Sequence, residues 1–526
     1  MKKIAKRAKK IISALLLLLS GILVAVLYYI KKNFPNVSFE QLIYSLFYSK
    51  GTSMNAISEG LLIGSIVTLI FLVIILFPFY VKIKTKTSFY LTVGKKNFCF
   101  TILPLSTNNS LGYGLFIFIM CFCFTLYQLG GYHYLFYQFN KSSLFEKYYI
   151  NPKEVNISFP NNKKNLIYIF VESLEMSTAS KINGGGKAVS NIPNLEKIAL
   201  DSINFSNNNQ LGGAIQVDGL GWTVAGMVAQ TSGIPLKLRI YGNAYSGYSH
   251  FLPGAYSLGE ILKENGYQNY LMLGSDTAFG GRDEYFIQHG DYNIFDYPWA
   301  IKNHLISSDY YEWWGYEDSK LFDYAKEQLL SISKQDFPFN FTILTADTHF
   351  PSGYIDKSCE NNLPFDNHYA NSFFCNDNMI YNFIEWIKQQ DFYTNTVIVI
   401  SGDHLTMQED FYSNLEPNYE RVVYNAFLNT NLSSKYSKNR LFTTMDMYPT
   451  TLVALGADIP GNRLGLGTNL FSGKKTILET LKFEKMNDSL KKNSSFYNKY
   501  ILGDSYMEMY KNIEKEDKKE KNIIDN

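Results

Sequence analysis

The side chains best suited to chemistry in this 526-residue chain are Glu172, Thr223, Asp403 and His404. Thr223 stands in GLGWTVAGMVAQTSGIP, residues 219–235. Gly219 and Gly221 permit a tight approach, Trp222 can anchor the turn by burial, and VAGMVAQ suits a short buried helix closed by Gly233 and Pro235. A hydroxyl there sits at a helix N-terminus, where free N–H groups and the dipole favour an anion such as phosphate. The plainer role for such a threonine is an N-cap. Asp403 and His404 close NTVIVISGDH, and Glu172 closes NLIYIFVE, so all three end β-favouring runs. Two carboxylates, one imidazole and one hydroxyl make a mostly hard, four-ligand set for a single divalent cation. Such a cation would lower the pKa of the Thr223 hydroxyl and turn it into a nucleophile. Taken singly, Asp403 and His404 also fit a solvated strand-end turn, and Glu172 fits a surface carboxylate.

These groups lie far apart in sequence, so a scaffold must bring them together. Residues 165–171 are a continuous β-favouring run, as expected of a strand buried on both faces of a parallel sheet. YLMLG, FNFTILTAD, NTVIVISGD and YNAFLNT repeat the pattern, with helical stretches such as YSLGEILKENG and NMIYNFIEWIKQQ between them. The alternation predicts an α/β layered domain over residues 165–472. Ligands of such sheets collect at the carboxyl ends of strands, where Glu172, Asp347 and Asp403 stand.

The N-terminal part is of another kind. MKKIAKRAKK carries six basic residues and no acid. Charge-poor apolar runs follow at about residues 11–30, 61–81 and 113–136, each near the ~20 residues that cross a bilayer. The first run is long for a signal peptide and has no small-residue cleavage site after it, which favours a retained helix. Lys82, Lys84, Lys86, Lys95 and Lys96 lie between the second and third runs. Placing them and the N-terminus in the cytoplasm satisfies the positive-inside rule and puts the α/β domain outside. FEQLIYSLF, in the first outer loop, suits a helix lying along the membrane surface. The expected order is a transmembrane anchor (1–136), a polar linker (137–164), an extracytoplasmic domain (165–472) and a polar tail (473–526). Cys359 and Cys375 are the only cysteines after the anchor, and an isolated pair in an oxidising compartment reads as a disulfide. A net charge of +2 and the lack of zinc-finger spacing or basic–aromatic runs exclude nucleic acid as a partner.

YIFVESLE, GWTVAGMVAQTSGIPL, YGNAYSGYSHFLPGAYSLGEILKENGYQNYLMLG, FGGRDEYFIQHG, LTADTHFPSG and VIVISGDHLTM occur in this order. The series resembles the membrane phosphoglycerol transferase I family and, more distantly, lipoteichoic acid synthase, both of the alkaline-phosphatase and sulfatase superfamily. The resemblance covers roughly residues 160–472. It implies a mixed sheet sandwiched by helices, preceded by a bundle of about three transmembrane helices. It implies Glu172, Thr223, Asp403 and His404 as metal ligands, with Thr223 also the nucleophile. His349 matches a substrate-binding histidine, and Arg282 a basic residue facing phosphate. The implied cofactor is one divalent cation, manganese first, with magnesium or zinc as alternatives. The implied reaction moves phosphoglycerol from phosphatidylglycerol, in the membrane lipid, to a glycan or polyglycerolphosphate (teichoic-acid-type) acceptor through a phospho-threonine. The synthase branch has a tryptophan close before the basic residue, where this chain has Phe279, Gly280 and Gly281. No C/S-x-P-x-R setting surrounds Thr223, which disfavours sulfate-ester cleavage. Two other readings fit the same residues: a phosphoethanolamine transferase of the same superfamily, and a non-catalytic, membrane-tethered glycan-binding protein.

Overall fold

The computed structural model describes residues 2–34, 37–47, 54–80, 87–93, 96–103, 110–237, 251–433 and 435–503. Four of the loop lysines (82, 84, 86 and 95), the YGNAYSGYSH part of the quoted motifs and the end of the tail beyond residue 503 lie outside them. The chain divides into two compact units, Met1–Leu42 with Thr52–Phe136, and Ile43–Gly51 with Tyr137–Asn526.

The smaller unit holds the helices Lys2–Asn33, Met54–Tyr80 and Ser110–Gln128. Among the described residues, Arg7–Asn33 and Leu111–Gln128 are long and apolar enough to cross a membrane, and Gly60–Leu76 is a shorter apolar stretch. The expected helix over 113–136 is not continuous. It stops at Gln128, Gly130 turns with φ 73°, and a new helix runs over Gly131–Phe139. A residue without Cβ adopts that left-handed turn at no steric cost. The loop between the second and third apolar helices carries an antiparallel hairpin, Thr87–Val93 with Lys96–Leu103.

The larger unit is built on a seven-stranded sheet. Its strands are β1 (Asn165–Val171), β2 (Gly213–Ala214), β3 (Gln268–Leu273), β4 (Asn293–Phe295), β5 (Phe339–Leu344), β6 (Thr396–Gly402) and β7 (Val423–Leu428). In space the order is β2-β7-β6-β1-β5-β3-β4. Strands β6, β1, β5, β3 and β4 are parallel, and β7 and β2 close one edge antiparallel. Every residue of β1, β5, β6 and β7 is buried, as strands covered on both faces must be. β1 lies at the centre, and its register on β6 pairs Val171 with Gly402.

The folded body is wider than residues 165–472. Within 137–164, Leu144 and Phe145 are buried, and Ile150 bridges to Gly465. Beyond 472, the helices Ile477–Leu481 and Phe483–Lys491 bury Ile477, Leu478, Met486 and Leu490, and Tyr497 and Ile501 follow them into the core. Their apolar residues are sparse between lysines and asparagines, so composition reads as tail while the few apolar side chains dock. Phe145 and Tyr497 meet edge to face at 5.2 Å, which ties the two ends of the body together.

Cys359 and Cys375 form a disulfide that joins the loop after β5 to the helix His368–Lys388, with a sequence separation of 16. In the chain-entropy account a loop of that size contributes about 3 kcal/mol. Replacing both cysteines by alanine is therefore expected to lower the melting temperature of the full chain by several degrees, and differential scanning fluorimetry of oxidised and reduced protein checks it.

Candidate metal and transfer site

Val171 and Gly402 are register partners, so Glu172 and Asp403 leave adjacent parallel strands side by side. Ser173 follows with φ 57°, and its backbone N–H donates to Asp403 Oδ1 at 2.7 Å while its hydroxyl donates to Glu172 Oε1 at 2.8 Å. From β5, the Thr345 hydroxyl accepts the Glu172 N–H at 3.1 Å, and the Thr348 hydroxyl donates to the Glu172 carbonyl at 2.5 Å. The segment after β5 thus fixes the Glu172 backbone, while Ser173, just past β1, holds one oxygen of each carboxylate.

Thr223 arrives on the helix Thr223–Ser232. Trp222, extended at φ −152° and ψ 160°, occupies the N-cap position, and Gly233 closes the helix at φ 65°. The Thr223 hydroxyl therefore does not cap the helix. It lies 3.1 Å from Glu172 Oε2 and 3.5 Å from His404 Nε2. The helix is seated by two devices. Gln230, fully buried, donates to the Gly402 carbonyl at 2.9 Å and accepts from Tyr168 Oη at 2.8 Å. Gly226 lies on the Asp403 backbone so closely that a Cβ would sit 2.1 Å from the Asp403 carbonyl oxygen. Only glycine allows that approach.

Glu172, Asp403 and His404 bring ligand atoms within 4.8 Å of one another, the one such group of three among the described residues. His404 Nε2 lies 3.4 Å from Glu172 Oε1 and 3.4 Å from Asp403 Oδ2. His404 Nδ1 donates to the Leu405 carbonyl at 2.9 Å, which leaves Nε2 as the ring atom able to ligate a cation. Asp403 Oδ2 is buried without a hydrogen-bond donor among the described residues. A buried carboxylate oxygen left in that state, aimed at an imidazole nitrogen and a second carboxylate, fits a divalent cation.

The protonation balance says the same. Burial would raise Glu172, but the charge and hydrogen bonding of His404, with the Ser173 hydroxyl, outweigh it and hold it well below the usual carboxylate range. Burial and the charge of Glu172 push Asp403 up to about 8. Burial would lower His404, but Asp403 and Glu172 together carry it up to about 10. Without a cation, the cluster therefore holds protons at neutral pH.

The remaining expected groups share one cavity with Glu172 and Thr223: Arg282, His349, and also Ser275, Phe279 and Trp314. Arg282 is 5% exposed, and its Nη2 donates to Ser275 Oγ at 3.1 Å and to the Asp276 carbonyl at 2.7 Å. Its Nε–H has no partner among the described residues, so a donor is left over. Burial lowers Arg282 to about 10, still charged at neutral pH. Burial also lowers His349, which keeps it neutral, and its Nδ1 donates to the Phe350 carbonyl at 2.5 Å. Asp347, the third strand-end acid, stays out of the cluster. Its carboxylate accepts the Asp318 N–H at 3.2 Å, and Asp318 in turn accepts the N–H groups of Ala346 and Asp347 at 2.9 Å each. That exchange shapes the loop that carries His349.

Several of these partners left no sequence signal. Trp314, 4.6 Å from the His349 ring and 5.4 Å from Phe279, is one of two adjacent tryptophans with no motif around them. Glu175, fully buried, takes a bidentate pair of hydrogen bonds from Arg421, which also donates to the Thr406 carbonyl at 2.7 Å. The pair joins the exit of β1 to the start of β7, reaches the segment after β6 through Thr406, and reads in sequence as two ordinary surface charges.

Residues 164–457, more than half of the chain, match the sulfatase family model. The chain belongs to the sulfatase family. Within that family it is 33% identical over 336 residues to phosphoglycerol transferase I of Salmonella choleraesuis (strain SC-B67), a match covering 63% of this chain and 41% of that protein. The chain thus spans well under half the length of this relative. The lipoteichoic acid synthase LtaP from Listeria monocytogenes overlays with a TM-score of 0.47 at 19% identity, over 61% of this chain and 79% of that one. The Streptococcus pyogenes phosphoglycerol transferase GacH, solved in complex with sn-glycerol-1-phosphate, overlays with a TM-score of 0.42 at 14% identity, over 67% and 90%.

Two outcomes follow for this sulfatase-family centre. Cation binding must displace protons from His404 and Asp403, so affinity rises with pH, by about tenfold per pH unit for each proton released. Titration calorimetry with manganese, at two pH values around neutrality and in buffers of different ionisation enthalpy, reads both the affinity and the proton count. Gly226→Ala is expected to lower cation affinity by at least about tenfold by displacing Asp403, measured in the same way.

Proposed function

We propose that this protein is a membrane-anchored, metal-dependent phosphoglycerol transferase whose α/β domain works outside the cytoplasm. The observation that carries the reading is the Thr223 hydroxyl, within 3.5 Å of both Glu172 and His404 and facing the cavity that Arg282 and His349 line. The resemblance to proteins named phosphoglycerol transferase I supports the choice of group. The apolar helices Arg7–Asn33 and Leu111–Gln128 support a tether at the bilayer, where a phosphatidylglycerol donor resides.

A divalent cation held by Glu172, Asp403, His404 and Thr223 would supply Lewis acidity that lowers the hydroxyl pKa; the imidazole in this set favours manganese or zinc over magnesium. The protein's own groups do the rest. Thr223 Oγ1 attacks the phosphorus of the donor phosphodiester and the P–O bond to diacylglycerol breaks. The proton lost by Thr223 ends on the diacylglycerol oxygen. A hydroxyl of a glycan or polyglycerolphosphate acceptor then attacks the same phosphorus, the bond from phosphorus to Thr223 Oγ1 breaks, and the acceptor's proton returns to Thr223. Arg282, with its unused Nε–H, binds the non-bridging oxygens as charge builds on them. Neutral His349, its Nδ1 committed to Phe350, offers Nε2 to the bound group.

The charges of the cavity favour glycerol over ethanolamine as the head group. Among the described residues its lining has a single carboxylate, Glu172, which the cation would occupy, and a buried guanidinium that repels an ammonium. The Phe279 face already carries the Arg282 cation at 5.7 Å.

Incubating the full chain with phosphatidylglycerol is expected to leave glycerophosphate on Thr223, detected by peptide mass spectrometry, and chelator or Thr223→Ala abolishes it. An ethanolamine-phosphate adduct from phosphatidylethanolamine, with none from phosphatidylglycerol, would replace this reading by its closest rival. Arg282→Ala is expected to lower kcat/KM for the donor by roughly a hundredfold, checked by diacylglycerol release.

A further inference from the structure

Tyr44 belongs to the helix Phe39–Phe47, between the first two apolar helices in sequence, yet residues Ile43–Gly51 are part of the larger unit. Its side chain is 2% exposed. The phenol O–H donates to the Gly280 carbonyl at 2.5 Å, and the ring packs against Trp222 with centroids 5.9 Å apart. Both partners sit next to reacting groups. Trp222 is the N-cap residue immediately before Thr223. Gly280 and Gly281, at φ 72° and 67°, form the left-handed turn that delivers Arg282. That turn also lies on the nucleophile helix, since a Cβ at Gly280 would be 2.7 Å from Val224 Cγ2. One aromatic side chain therefore touches the segment that carries the nucleophile and the segment that carries the phosphate-gripping arginine.

We propose that Tyr44 is a positioning residue of the transfer site: by holding Trp222 and the Gly280 carbonyl together it sets the separation between the Thr223 hydroxyl and the Arg282 guanidinium. Attack at phosphorus and binding of its non-bridging oxygens must happen at one distance, and an error of about 1 Å in such spacing costs up to ~100-fold in rate. The proposal rests on the phosphodiester-transfer reading above for the choice of substrate, and on geometry alone for the role of Tyr44.

The test uses the full chain in detergent, with phosphatidylglycerol and the soluble diester bis(p-nitrophenyl) phosphate as separate substrates. Tyr44→Phe keeps the ring and the fold and loses the hydrogen bond; kcat/KM is expected to fall roughly three- to tenfold on both substrates. Tyr44→Ala is expected to fall further, with manganese affinity unchanged. In an Arg282→Ala background, Tyr44→Phe should have no added effect, because the spacing it sets no longer matters. An equal fall in both backgrounds, or no fall in the wild-type background, overturns the proposal. A wild-type chain that cleaves the soluble diester but forms no adduct from phosphatidylglycerol would sink the donor reading alone, and the Tyr44 comparison would still be read on the soluble substrate.

Discussion

Two carboxylates, Glu172 and Asp403, leave neighbouring strands at the same level and are both buried, with an imidazole 3.4 Å from each. Like charges brought out of water at this distance repel and lose hydration together. The surroundings are arranged to offset that cost. Asp403 Oδ1 accepts the N–H groups of Ser173 and His404, at 2.7 and 2.8 Å, and Glu172 takes the Ser173 hydroxyl. One oxygen, Asp403 Oδ2, is left without a donor. A cation supplies what the protein withholds, so the same arrangement that strains the ligand-free cluster makes it a receptor for positive charge.

The sheet is what makes the cluster rigid. Parallel strands cannot slip by one residue without turning every buried side chain to the wrong face, and β1 is held by β6 over residues 165–171 and by β5 over residues 166–170. Thr223 is then registered against that sheet by Gln230 and Gly226, two residues on one helix. Gln230 measures the helix against the Gly402 carbonyl, and Gly226 lets it descend until Thr223 meets Glu172. Farther out, the Glu175–Arg421 pair ties the exit of β1 to the start of β7. Breaking a buried pair of this kind commonly costs about 3–5 kcal/mol, because the remaining charge has no partner.

Around this anionic centre the cavity becomes cationic and aromatic. Arg282 is charged although buried, because its N–H groups find Ser275, Asp276 and the field of Glu172. His349 is neutral, and Trp314 packs on its ring. A phosphodiester between the two regions would have its phosphorus beside the hydroxyl and its charge toward the guanidinium. The two functions are kept on different elements: the cluster on strand ends, the arginine on a double-glycine turn.

The four central residues were readable in the linear chain, because each ends a β-favouring run or opens a helix, and such termini collect at the carboxyl edge of a parallel sheet. The α/β class, the strands around Glu172, Asp347 and Asp403, the helix after Thr223 and the cysteine pair are local patterns of the same kind. Legibility failed where packing outweighs composition. The segment after residue 472 docks by Ile477, Met486 and Tyr497 despite its polar makeup. The apolar run 113–136 breaks at one glycine. Thr223 also fitted a cap, and Asp347 stood at a strand end as Glu172 and Asp403 do, until the strand register and the Gly226 approach separated them. Local sequence determined which chemistries were available, since propensity and hydrophobic period act over a few residues. Which groups meet was decided by pairings between strands more than two hundred residues apart and by close backbone approaches, quantities that no short segment encodes.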